Sequence, residues 1–438
     1  MDDVGNVIIC KPASSGKAHC RPLVLQGHMD MVPQANAGRR HDFTRDPITT
    51  RIEGEWVMAD GTTLGADNGI GVAAMLAVLE ADDLPHGPLE ALFTCTEETG
   101  MDGAFGLQPG VLQAEILINT DSEEEGTLCI GCAGGANVDS QFLFQGERLE
   151  GDWSGFRLSV TGLKGGHSGV DIHRGRGNAI ALLFRILQQG ADQHGLRICA
   201  IDAGNMRNAI PREAFAELMV PFSQVDAFTD SVTRWQPLLA GELSEVEPGL
   251  IVGLEPRPEA ASTWLGATTQ EHLIHAIRAC PHGVLRMSER MPDLVESSNN
   301  LAIVQTEESR ILVRNLVRSS VDTARDDICG RLRSLFHLAE AATEVNGEYP
   351  GWQPEPDSKI LALVQRSYQA LFQKPAEVGA MHAGLECGII GATYPGMEMI
   401  SFGPTIRFPH SPDERVHIPS VKRFWLLLTR VLAEIGER

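Results

Sequence analysis

Apolar residues in the first third of the chain fall into short runs separated by helix-like patterns. That alternation is the signature of βαβ units and a largely parallel sheet. Three runs stand out: Pro22-Leu23-Val24-Leu25-Gln26-Gly27, Leu89-Glu90-Ala91-Leu92-Phe93-Thr94-Cys95 and Ala114-Glu115-Ile116-Leu117-Ile118-Asn119. Each ends in polar, mostly ionisable residues: His28 and Asp30 after the first, Glu97 and Glu98 after the second, Asp121 after the third. Between the first two, Asp67-Asn68-Gly69 opens an apolar-rich helix through about Leu79, with an acidic residue at its N-terminus.

From about residue 135 the texture changes. Strand-like segments (Phe156 to Leu163, Ala214 to Val220, Ile311 to Val317) alternate with helices such as Asn178 to Gln189 and Asp322 to Ala342, without carboxylates at the strand ends. This is a βαβ-type α+β pattern. Gly253-Leu254-Glu255-Pro256-Arg257-Pro258 reads as a surface loop, and Tyr349-Pro350-Gly351-Trp352-Gln353-Pro354 as a return linker. The expected fold class is α/β with two domains. A doubly wound, mainly parallel sheet with helices occupies 1–134 and 347–438, and an α+β domain interrupts it at 135–346.

A chain of 438 residues supports two or three cores without disulfide staples. Its net charge of -22 repels phosphate backbones and anionic membranes, so neither is an expected partner. No apolar stretch approaches the roughly 18 residues of a membrane span. The opening Met1-Asp2-Asp3-Val4-Gly5 lacks the pattern of a secretory signal. Nine cysteines scattered from Cys10 to Cys387 make no disulfide framework and point to a reducing, cytoplasmic setting.

In open α/β sheets, ligands collect at the carboxyl ends of strands. Carboxylates gathered at that edge repel one another and call for a compensating cation. His28, Asp30, Asp67, Glu97, Glu98, Asp121 and His410 are the candidates. Two imidazoles with three carboxylates suit a pair of divalent ions, zinc first, with manganese or cobalt also fitting. Of the neighbours Glu97 and Glu98, one can bind a cation while the other faces the water as general base.

The stretches Gly27-His28-Met29-Asp30, Gly65-Ala66-Asp67-Asn68-Gly69, Thr96-Glu97-Glu98-Thr99-Gly100-Met101, Asn119-Thr120-Asp121-Ser122-Glu123, Gly165-Gly166-His167-Ser168-Gly169 and Pro409-His410-Ser411-Pro412-Asp413-Glu414 strongly resemble the M20 metallopeptidases. Gly131-Cys132-Ala133-Gly134-Gly135, Asn208-Ala209-Ile210-Pro211-Arg212-Glu213 and His382-Ala383-Gly384-Leu385-Glu386-Cys387-Gly388 look like its aminoacyl-histidine dipeptidase branch. The resemblance implies a dipeptidase acting on unblocked dipeptides, Xaa-His and carnosine-like ones included, through a di-zinc-activated water. It makes His28, Asp67, Glu98, Asp121 and His410 the metal ligands, with Asp67 bridging. Glu97 becomes the general base and Asp30 the residue that orients His28. His167 is implied to stabilise the oxyanion from a lid domain, reaching into the partner's site of a homodimer. Asn208, Arg318, Gly384 and Glu386 are implied to hold the substrate, the arginine gripping its carboxylate.

Two departures stand out. The resemblance leads one to expect a helical segment ahead of the strand at Val4 to Cys10, so an uncovered sheet face and lower stability are expected. Phe408 stands where glycine is usual, and would either narrow the pocket or pack on the loop. Glu123-Glu124-Glu125 reads as a solvated acidic turn. The rival readings are an amidohydrolase or deacylase acting on N-acyl amino acids, and an inactive metal-binding homologue in assembly or regulation.

Overall fold

The structure is a computed structural model that describes residues 1–257 and 261–436. The chain divides into two compact units. One comprises Met1–Cys132 with the chain from Trp352 onward, the other Ala133–Gly351.

The first unit is built on a seven-stranded sheet in the order Val7–Lys11, Leu89–Thr94, Leu23–His28, Ile116–Asn119, Glu398–Ser401, Thr127–Cys132, Glu377–Met381. Leu23–His28 runs parallel to both neighbours, with His28 beside Thr94 and Gln26 beside Asn119. Every residue of these three strands is buried, which explains continuous apolar runs in place of alternation. Full burial of side chains such as Leu23, Leu25 and Leu117 contributes on the order of 2 kcal/mol each, so the carboxyl edge rests on the best-anchored part of the sheet. The sheet is mixed: Val7–Lys11 pairs antiparallel with Leu89–Thr94, and Glu398–Ser401 meets Thr127–Cys132 antiparallel. A separate four-stranded antiparallel sheet joins Ile406–Arg407, Arg415–His417, Trp56–Ala59 and Thr50–Glu53.

The second unit is a nine-stranded sheet in which every pairing is antiparallel. Helices Ala179–His194, Val225–Glu242, Ala267–Ala279 and Asp322–Leu338 contribute to one apolar cluster with it. The first of these shows the local logic well: Asn178 caps it by accepting the amides of Ile180 and Ala181, Leu183, Phe184 and Leu187 bury one stripe, and Gly195 ends it in the left-handed conformation at φ 67°.

Two expectations are corrected here. The tract at Gly253 to Arg257 lies in the strand Ile251–Arg257, paired with Trp153–Thr161; Pro258 is outside the described residues. Proline is tolerated because this strand is the sheet's edge, where a missing N–H need not break a ladder. The pairing of the second unit is also wholly antiparallel, not built from parallel crossover units. Among the described residues no helix is long and apolar enough to cross a membrane.

Candidate metal centre

Parallel strands deliver their carboxyl ends to one edge. His28 closes Leu23–His28, Glu97 and Glu98 open the 3-10 turn Glu97–Thr99 just beyond Leu89–Thr94, and Asp121 follows Ile116–Asn119. His410 stands on the hairpin between Ile406–Arg407 and Arg415–His417, at a left-handed φ of 61°. Asp67 sits in the first turn of Ala66–Glu80, yet its own backbone is non-helical.

That last point corrects the expectation of Asp67 as an anion serving the helix terminus. The buried carboxylate of Glu414 does that work, accepting the amides of Leu64, Gly65, Ala66 and Asp67 at 2.7, 2.9, 2.7 and 3.3 Å. Helix N-termini leave their first amides without partners, and an anion there is favoured. With those amides satisfied, the Asp67 side chain is released to the cluster.

Its two oxygens divide between the two imidazoles. Oδ1 lies 3.1 Å from His28 Nε2, and Oδ2 3.2 Å from His410 Nε2. His28 Nε2 is also 3.1 Å from Asp121 Oδ1, and His410 Nε2 is 3.0 Å from Glu98 Oε2. Three sets of donor atoms fall within 4.8 Å of one another: His28, Asp67 and Asp121; Asp67, Glu98 and His410; and His28, Glu97 and Glu98. Asp30 ties the site together from behind. Its carboxylate accepts the amides of Glu97 and Glu98 at 3.0 and 3.1 Å and lies 3.5 Å from His28 Nδ1.

The electrostatics are those of a site short of positive charge. Burial and then the charge of Asp121 push Glu97 up to about 9, and burial raises Asp121 to about 6. Burial presses on His28 as well, but the charge of Asp121 and the hydrogen bonds around it raise its pKa far above the usual range. Hydrogen bonds to the Asp67 and Glu98 carboxylates lift His410 to about 10. Protons are thus drawn in where cations would otherwise balance the carboxylates.

The donor set fits a metal on a direct structural observation. Glu98 Oε1 is buried and has no hydrogen-bond partner among the described residues. An unmet buried carboxylate oxygen is costly, and a shared divalent ion is what two imidazoles and several carboxylates at these distances can hold.

Other expected residues fall elsewhere. In the second unit, His167 pairs with Ala209 in an isolated bridge, and the Ser168 amide donates to Asn208 O at 2.8 Å, so His167 and exposed Asn208 share one corner. Arg318, on Arg310–Ser319, is near enough for its charge to add to the burial that lowers His167 to about 4. Gly384 lies between Glu377–Met381 and Glu386–Thr393. Glu386 is buried, and its Oε2 accepts from Gln26 Nε2 at 2.7 Å and Thr94 Oγ1 at 2.6 Å, while its Oε1 has no hydrogen-bond partner among the described residues. Its place is beneath the strand ends, as a packed polar anchor.

The acidic turn also differs from expectation. Burial, with the charges of Asp67 and Asp121, raises Glu123 to about 8. Glu125 is held by Arg423 through two hydrogen bonds of 2.8 and 2.7 Å. Glu414 is the residue sequence reasoning missed; the signal was its presence at the end of the His410 motif. Phe408 packs on the loop: at φ 56° its ring lies 5.1 Å from the Arg415 guanidinium, which also covers Trp56 at 4.9 Å. The left-handed backbone explains why glycine suits that position.

The chain is similar to known proteins over both of its units. The description Peptidase family M20/M25/M40 matches residues 24–434. Cytosol non-specific dipeptidase of Escherichia coli (strain K12) is 48% identical over 434 residues, which is 99% of this chain and 89% of that protein. The crystal structure of aminoacylhistidine dipeptidase from Vibrio alginolyticus is 45% identical, with a TM-score of 0.93 over 100% of this chain and 89% of that one. Aminopeptidase PepT from Bacillus cereus, at 15% identity and a TM-score of 0.55 over 98% of this chain and 84% of that one, shares the fold. With a match spanning both units and the whole candidate metal centre, the chain belongs to peptidase family M20/M25/M40, a family of metal-dependent peptidases.

Proposed function

We propose that this protein is a cytoplasmic metallo-dipeptidase that hydrolyses unblocked dipeptides, Xaa-His and carnosine-like ones among them, with two divalent ions, zinc first. The observation that carries this reading is the division of Asp67 between His28 and His410. It supplies two donor sets that share one carboxylate and are complete without Glu97: His28, Asp67 and Asp121 on one side, Asp67, Glu98 and His410 on the other. The names of the two close relatives support the substrate class.

When bound, the two ions would polarise the scissile carbonyl and acidify the attacking water. Glu97 takes the proton from that water and returns it to the leaving amine. Asp30, fastened to the Glu97 and Glu98 amides and beside His28, holds base and ligands in register. His167 Nδ1 accepts the amides of Gly169 and Val170 at 3.2 and 3.0 Å, which leaves the proton on Nε2. Its lowered pKa keeps it neutral, as suits a hydrogen-bond donor to the oxyanion. Asn208 and Arg318 hold the substrate, the guanidinium on its free carboxylate. We assign the second unit to dimerisation as well, with His167 serving the partner's centre.

The test compares free dipeptides with N-acyl amino acids, before and after chelation and on return of zinc, manganese or cobalt. Dipeptide turnover that is lost on chelation and restored by metal is expected. Preference for N-acyl amino acids would replace the reading with a deacylase, and no turnover by the metal-replete protein would leave an inactive binding homologue.

A further inference from the structure

Arg318, Gly135 and Tyr349 form one transverse row across three strands of the second unit. Arg318 on Arg310–Ser319 and Tyr349 on Ala342–Tyr349 are both register partners of Gly135, on Gly134–Leu143 between them. Side chains in such a row stand on the same face of the sheet. The middle position has no side chain, and the outer two meet over the gap: Arg318 Nη1 donates to Tyr349 Oη at 2.9 Å.

The gap is obligatory. A Cβ at Gly135 would stand 2.6 Å from Cε1, Cζ and Oη of the Tyr349 ring, and one at Gly134 would stand 2.5 Å from Tyr349 O and Gly351 N. The phenol is therefore seated directly on Gly135. A register irregularity between Asn346 and Tyr349 sets the phase of that side chain, as bulges beside functional sites do. The backbone is pinned too: Arg325 Nη1 donates to Tyr349 O at 2.7 Å and to Asp322 Oδ1 at 3.1 Å, and Asp322 Oδ1 accepts the Gly351 amide at 2.9 Å. Arg318 itself is buried, and its Nε has no hydrogen-bond partner among the described residues. One edge of the guanidinium is thus spent on Tyr349.

We propose that Tyr349 is a positioning residue for Arg318, seated by Gly135, and that it aims the guanidinium at the free α-carboxylate of a dipeptide. The inference rests on the reading of Arg318 given above. It gives the Gly134-Gly135 pair and Tyr349, at the end of its strand, one joint task.

The test measures kcat and KM for a dipeptide and for its C-terminal amide in the metal-loaded wild type, Tyr349→Phe, Arg318→Ala and the double variant. Loss of one hydrogen bond to a charged group predicts about a tenfold rise in KM for the free dipeptide in Tyr349→Phe. Its kcat and its KM for the amide stay at wild-type values, and the double variant matches Arg318→Ala. Gly135→Ala, which displaces the ring, gives the same signature should Tyr349→Phe fold poorly. If Arg318→Ala raises KM for the acid and neither Tyr349→Phe nor Gly135→Ala does, the positioning role is wrong while the Arg318 reading stands. If Arg318→Ala leaves the acid and the amide equally affected, the Arg318 reading fails and takes the inference with it.

Discussion

Asp30 reaches Glu97 through the backbone: the Glu97 amide donates to Asp30 Oδ1 at 3.0 Å, and the neighbouring Glu98 amide to Oδ2 at 3.1 Å. The same carboxylate stands 3.5 Å from His28 Nδ1. That side chain therefore fixes the turn carrying the base, while the Asp30 main-chain oxygen, 3.0 Å from His28 Nδ1, and the nearby carboxylate together orient a ligand. Asp30→Ala is expected to weaken metal binding by about 10–100-fold and to lower turnover with it. Calorimetric titration of the metal-free protein measures this. Unaltered affinity would mean that His28 and the glutamate turn are oriented by other groups.

Glu414 satisfies four amides at the start of Ala66–Glu80. Truncation leaves them facing a buried space, at a cost of roughly 1–3 kcal/mol for each group left unmet. Glu414→Ala should therefore lose at least about 3 kcal/mol in urea unfolding, and metal affinity should fall because Asp67 is no longer held. A loss below about 1 kcal/mol would show that water takes over the role.

These two residues mark the limits of what the sequence makes legible. The strands Leu23–His28, Leu89–Thr94 and Ile116–Asn119 could be read because burial on both faces leaves an unbroken apolar run. The ionisable residues just past them stood out for the same reason. Glu414 reaches amides up to 350 positions away, and no local pattern encodes such a contact. Glu386 looks like a motif residue open to substrate, and only the packing of Gln26 and Thr94 against it places it inside. Ile251–Arg257 was hidden by Gly253 and Pro256, which read as loop residues until the strand is seen at a sheet edge.

His282 offers a pH test away from the metal centre. The Asn178 oxygen accepts the amides of Ile180 and Ala181, which turns its Nδ2 toward Leu301 O at 2.8 Å and His282 Nδ1 at 3.1 Å. Nδ1 must then accept, so the imidazole is neutral. Burial lowers its pKa from 6.5 to about 4. The unfolded chain takes up the proton near 6.5 and the folded one only near 4, so this contribution is whole above pH 6.5 and shrinks as pH falls toward 4. Urea unfolding should show wild type losing about 2–3 kcal/mol more than His282→Gln across that window. Parallel pH profiles for the two proteins would refute it.

If His167 serves the partner's centre, two inactive variants should complement one another. Randomly mixed Glu97→Gln and His167→Ala chains form hybrids in half of the two-fold dimers, each with one intact centre, giving about a quarter of wild-type activity. Activity no higher than either parent, or a fully active monomer by sedimentation, would exclude the cross-subunit role.

The central claim is a cation-holding cluster in which Glu97 moves protons. Its most direct test is turnover of an unblocked dipeptide by Glu97→Gln, with metal content measured on the same sample. The expected result is metal stoichiometry equal to wild type and a rate lower by about 10²–10⁴-fold. Wild-type turnover at full metal occupancy would contradict the account.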